Sequence, residues 1–104
     1  MFARNVRIHL KPNSTAQFTQ TLEKEVLPLL RKQEGFQDEV AFIEPGGTEA
    51  VSISFWRSKE NAEAYSRSVY PEVLKTLGKV VDGTPQTQTY EVSLSTMHKI
   101  TAKA

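Results

Sequence analysis

Residues 52–72, SISFWRSKENAEAYSRSVYPE, decide how the rest of the chain is read. The first five positions alternate like a strand that ends at Trp56. Ser58 stands where a helix N-cap belongs, and Ala62, Tyr65 and Val69 then recur along one helical face. Pro71 suits a first helical position, so a second helical piece is expected to restart there, with Val73, Leu74, Leu77 and Val81 as its stripe. The rings at 56, 65 and 70 pose the functional question. They either wall a pocket or only join a helix to a sheet.

Working outward, FQDEVAFIEP (36–45) and EAVSISFW (49–56) flank Gly46-Gly47-Thr48, which predicts a hairpin. FARNVRIHLK (2–11) alternates, with Phe2, Val6, Ile8 and Leu10 on one parity and Arg4 as the exception. STAQFTQTLEKEVLPLLRKQEG (14–35) predicts a helix with the stripe Phe18, Leu22, Val26, Leu29 and Leu30. Ser14 and Gln17 have the spacing of a capping box, Pro28 predicts a bend or break, and Gly35 fits the C-terminal cap. Asp82-Gly83-Thr84-Pro85 is a turn, QTQTYEVSLS (86–95) a last strand, and 96–104 a short, partly mobile tail. The whole chain is expected to form one domain with its core at about 2–95.

The order βαββαβ predicts an α+β, ferredoxin-like fold, a four-stranded antiparallel sheet with both helices on one face. Apolar parity assigns Val6, Ile8, Leu10, Val40, Phe42, Val51, Ile53, Phe55, Tyr90, Val92 and Leu94 to the helix-covered face. Asn5, Arg7, His9, Ala41, Ile43, Ser52, Ser54, Trp56, Glu91 and Ser93 fall on the other. That second set is too polar for a core, yet Ile43 and Trp56 are poorly suited to water.

Composition narrows the function. Thirteen Lys and Arg against twelve Asp and Glu leave a net charge of +1, with no basic stripe to recruit nucleic acid or anionic lipid. The absence of cysteine excludes disulfides, thiolate metal sites and a cysteine nucleophile. His9 and His98 offer no metal-ligand spacing, so no metal is expected. MFARNVRIHL lacks the apolar core of a signal peptide, and no apolar run nears the roughly 18 residues of a membrane span. A cytosolic location is the default expectation. Gly46-Gly47 joins two strands and precedes no helix, so it is no phosphate cradle.

The opening FARNVRIHLKP, the helix end VLPLLRKQEGF, the hairpin and the junction SFWRSKENAEAY resemble antibiotic biosynthesis monooxygenase (ABM) domains over roughly residues 2–94. The resemblance implies a homodimer in which two sheets pack face to face as an α+β barrel, each subunit keeping a pocket between its helices and its sheet. On that reading Arg7, His9, Ile43, Trp56 and Glu91 belong to the dimer interface, with Arg7 and Glu91 paired inside the barrel. A haem-degrading branch of the family uses an asparagine, a tryptophan and a histidine at positions that here hold Val6, Tyr65 and Lys75. All three differ, which argues against haem degradation.

A second branch oxidises phenols or hydroquinones with dioxygen and no cofactor. That chemistry needs a dry, aromatic-lined cavity and a group that deprotonates the phenol. Phe18, Phe55, Tyr65 and Tyr70 are the candidates to line it, with Tyr65 and Tyr70 positioning the substrate. The competing reading is a non-catalytic, small-ligand-binding or stress-associated dimer in which these rings only pack. No base stands out at the pocket, so the sequence leaves open whether the chain is an enzyme.

Overall fold

A computed structural model describes residues 1–98; residues 99–104 of the expected tail lie outside the described residues. The elements run β1 (Phe2–His9), α1 (Thr15–Thr21), a π-helical turn (Leu22–Val26), α2 (Leu27–Arg31), β2 (Phe36–Ile43), β3 (Glu49–Trp56), α3 (Lys59–Ser68), α4 (Tyr70–Leu77) and β4 (Gln86–Glu91). The strands pair antiparallel in the order β2-β3-β1-β4, so β3 and β1 are central, as in the ferredoxin-like fold.

Local signals place most boundaries. Ser58 caps α3, its hydroxyl accepting from the Asn61 amide at 3.2 Å. Pro71 lies in the first turn of α4. Gly47, at φ +74°, closes the hairpin, where its amide donates to the Glu44 carbonyl at 2.7 Å. The break expected at Pro28 takes the form of the π-helical turn just before it. A proline ring clashes with the carbonyl four residues back, and the wider turn relieves that crowding. Several expectations fail locally. Lys32, not Gly35, is the C-cap that ends α2, and Val81 lies beyond α4 in a bridge to Leu10. The Ser14 hydroxyl donates to the Pro12 carbonyl at 3.3 Å instead of capping α1, and β4 ends at Glu91 instead of running to 95.

The larger correction concerns which side of the sheet meets the helices. Arg4 pairs with Ser54, Val6 with Ser52, Ile8 with Ala50 and Phe2 with Trp56. Residues opposed across strands share a face. The buried side of β3 is therefore Ala50, Ser52, Ser54 and Trp56, while Val51, Ile53 and Phe55 point away from the helices. In β2 a register shift between Phe36 and Asp38 inserts an extra residue. Phe36 stays on the helix side with Trp56, while Asp38, Val40 and Phe42 turn to the open side. Tyr90 follows Ala3 to the open side, and Glu91 follows Phe2 to the helix side.

The core lies between the helices and the β3–β1 half of the sheet. Trp56 and Phe18 are completely buried in it, with Ile8, Leu30 and Val80 beside them. The open face carries Val40, Phe42, Val51, Ile53, Phe55 and Tyr90, with Phe42 and Tyr90 about half exposed. The His98 ring lies 5.3 Å from that of Phe55, at one end of this face. No helix among the described residues is long and apolar enough to cross a membrane.

Candidate functional site

The helix break between α3 and α4 aims two tyrosines at the same place. Val69 is the single residue between the helices, and Tyr65 and Tyr70 meet across it with ring centroids 6.0 Å apart. Trp56 rises from β3 and stacks on Tyr65 at 4.9 Å, with Phe36 edge-on to it at 5.6 Å. The Trp56 Nε1–H donates to Ser54 Oγ at 2.8 Å, which satisfies the buried indole.

Beside these rings stands a buried cation. Arg4 is 3% exposed, and its Cζ lies 4.3 Å from the Tyr70 ring centroid and 5.2 Å from that of Tyr65. Glu39 approaches from β2, held by a hydrogen bond donated by the Ser52 hydroxyl to its Oε1. Burial is the main cause that raises the Glu39 carboxyl from 4.5 to about 7, with the Ser52 bond and the Arg4 charge opposing it. Burial likewise holds the Tyr65 phenol well above its ordinary value, so this hydroxyl keeps its proton.

These groups line a cavity between sheet and helices of about 30 Å³, room for a water molecule. Its remaining walls are apolar, with Val6, Ile8, Leu22, Val26, Leu30 and Leu77 among them. Two larger clefts adjoin it. One of about 210 Å³ shares Leu22, Val26, Leu30 and Glu39, and one of about 300 Å³ shares Leu74, Leu77 and Pro85.

Of the expected wall residues, Tyr65 and Tyr70 face this cavity. Phe18 is packed in the core and is not among the lining residues. Phe55 is on the opposite side of the sheet, because its register partners are Ala3 and Asp38. Among the residues expected at the open face, Arg7 and His9 are there, both exposed. Trp56 is not, since it opposes Phe2 and is buried beneath the helices. Ile43 opposes buried Ala50 on the helix side, at the edge of the sheet. Arg7 opposes Val51 and Gln86, and Glu91 lies on the other face, so the two do not pair. Arg4, Glu39, Ser52 and Ser54 join the site without a motif in the sequence that marks them. Arg4 did leave a signal, as the one charge on the apolar parity of β1.

The sequence profile of the antibiotic biosynthesis monooxygenase family matches residues 1–79, and the chain belongs to that family. No curated protein matches it at the level of sequence. Among solved structures, it is similar to a monooxygenase from Streptomyces coelicolor, the product of ActVA-Orf6, in complex with nanaomycin D. That likeness has a TM-score of 0.77 at 16% identity, covering 90% of this chain and 88% of that one. SnoaB, a cofactor-independent oxygenase from Streptomyces nogalater, gives a TM-score of 0.72 at 13% identity over 91% and 95% of the two chains. A Nitrosomonas europaea protein of unknown function gives 0.73 at 18% identity over 90% of each. At these identities the likeness establishes the fold.

Proposed function

We propose that the chain is a cofactor-independent monooxygenase that oxidises a small aromatic or quinol-like substrate with dioxygen, working as a homodimer joined through the open sheet face. Membership of the ABM family and the similarity to two oxygenases support this reading. The observation that carries it is the small, largely apolar cavity walled by Tyr65 and Tyr70 between the helices and the sheet. A desolvated, ionised phenol gives up an electron to dioxygen more readily than a hydrated one.

The reaction balances without a further reductant. A phenol with a free para position and one dioxygen yield a para-quinone and one water. One oxygen atom enters the ring and the other leaves as water. The substrate supplies all four electrons. Tyr65 and Tyr70 position the substrate as walls of the cavity, and the substrate reaches it through the adjoining clefts as Leu22, Val26 or Leu77 move aside.

The small volume of the cavity favours a second reading, a non-catalytic small-ligand-binding domain, because about 30 Å³ admits no aromatic ring until the walls move apart. Oxygen uptake separates the two. Purified protein is incubated with hydroquinones, phenols and anthrones without added metal or flavin. Uptake with quinone formation is expected for at least one substrate, and Tyr70→Ala lowers its rate about tenfold or more. Ligand-induced thermal shifts with no uptake across the panel would assign the chain to the binding class instead.

A further inference from the structure

The monooxygenase reading leaves a step without an agent, the removal of the phenol proton. Three strands supply the groups. Arg4 opposes Ser54 and Ser54 opposes Glu39, so one row crosses β1, β3 and β2 on the helix side. Neighbouring strands lie about 4.8 Å apart, which puts the Arg4 and Glu39 backbones roughly 10 Å from each other. Both side chains line the same cavity, and the gap between them spans Ser54.

A buried guanidinium is costly unless its charge is answered. The ring faces of Tyr65 and Tyr70 answer it in part. They offer no in-plane acceptor for its N–H groups, and no carboxylate among the described residues lies within ion-pair distance of it. An oxyanion in the cavity would accept hydrogen bonds from those N–H groups. Glu39 cannot do so fully from across the row, and its own burial favours taking a proton.

We propose, resting on that reading, that Arg4 and Glu39 together process a phenol that enters neutral: its O–H proton passes to the Glu39 carboxylate, and the phenolate oxygen is held by the Arg4 guanidinium. The phenol O–H bond breaks with its electron pair left on oxygen. An O–H bond forms on the carboxylate, and the net charge of the site is unchanged. Glu39 is then a catalytic base and Arg4 an oxyanion holder. The substrate class follows: a ring with one hydroxyl directed at the sheet and apolar surface elsewhere, to suit Val6, Ile8, Val26 and Leu30. The charged and titratable groups facing Glu39 are Arg4 from β1, Tyr65 from α3, Tyr70 from α4 and, in the adjoining cleft, Glu23 from the π-helical turn. A carboxyl at about 7 is ionised just above neutrality and is a stronger base than an ordinary carboxylate.

The test uses 4-nitrophenol, whose phenolate is coloured, in anaerobic titrations near pH 8, above the Glu39 value of about 7. Wild type is expected to bind the phenolate and to take up about one proton per ligand, read by calorimetry in two buffers of different ionisation enthalpy. Glu39→Gln binds the phenolate with no proton uptake. Arg4→Met weakens binding about tenfold or more, and Arg4→Lys recovers part of it. Uptake is counted per bound ligand, so a less stable variant still reports. No binding by wild type, unchanged uptake in Glu39→Gln, or undiminished affinity in both Arg4 variants would overturn the assignment. Oxygen uptake that survives in the Glu39 and Arg4 variants would do the same while leaving the monooxygenase reading intact. Proton-coupled phenolate binding without oxygen uptake from any phenol would instead remove the oxygenase chemistry and keep the site.

Discussion

Glu39 carries a cost to folding that depends on pH. Its carboxyl is raised from 4.5 to about 7, so the folded chain holds this proton more tightly than the unfolded chain. The fold is favoured fully below about pH 4.5, and this contribution falls as pH rises through about 7. The shift corresponds to on the order of 3 kcal/mol between those limits. Glu39→Gln, which cannot ionise, should therefore raise stability near pH 8 and change it little near pH 4.5. Denaturant midpoints at the two pH values check this, and an equal effect at both would refute it. Arg4 was visible in the sequence as a charge within an apolar parity. Its partners were not, because Glu39, Ser52 and Ser54 become its neighbours only through the pairing of β1 with β3 and of β3 with β2.

The α2–β2 connection is tied to the start of α3. Gly35 stands at φ +82°, and a Cβ there would lie 2.3 Å from the Asn61 side chain. Its carbonyl accepts from the Arg57 amide at 2.7 Å, while Asn61 receives the Ser58 hydroxyl at 2.8 Å. Gly35→Ala should destabilise the fold by roughly 1–3 kcal/mol, since backbone conformation and space both oppose the methyl group. Urea unfolding measures it, and a loss too small to detect would show that Asn61 swings clear at no cost. The strands show where reading by alternation fails. In β3 both parities look plausible, one apolar (Val51, Ile53, Phe55) and one mixed (Ser52, Ser54, Trp56). The mixed one faces the helices, because Tyr65, Tyr70 and the α1–α2 stripe supply the bulk while the serines leave room for Arg4 and bond to Trp56 and Glu39.

With the parity of β2 and β3 reversed, the uncovered side of the sheet is more apolar than the sequence suggested. Val40, Phe42, Val51, Ile53 and Phe55 form one continuous half, and Asn5, Arg7, Gln86 and Gln88 form a polar half beside it. A second copy placed by a two-fold axis would bury the apolar half against its own kind. Ile53, paired with Val40 and Asn5 at the middle of β3, is the position to break it. Ile53→Glu should yield a folded monomer where wild type is a dimer, by light scattering during gel filtration with circular dichroism unchanged. A wild-type monomer at micromolar concentration, or a variant that stays dimeric, would refute the pairing.

Element order, the hairpin, the cap at Ser58, the helix restart at Pro71 and the irregularity at Pro28 are all legible along the chain, because turn chemistry and period-two or period-3.6 patterns act over a few residues. The direction each strand faces is not. Alternation looks the same from either side of a sheet, and a single extra residue in β2 exchanges its faces. Strand pairing settles it, and with it the company that Arg4 keeps.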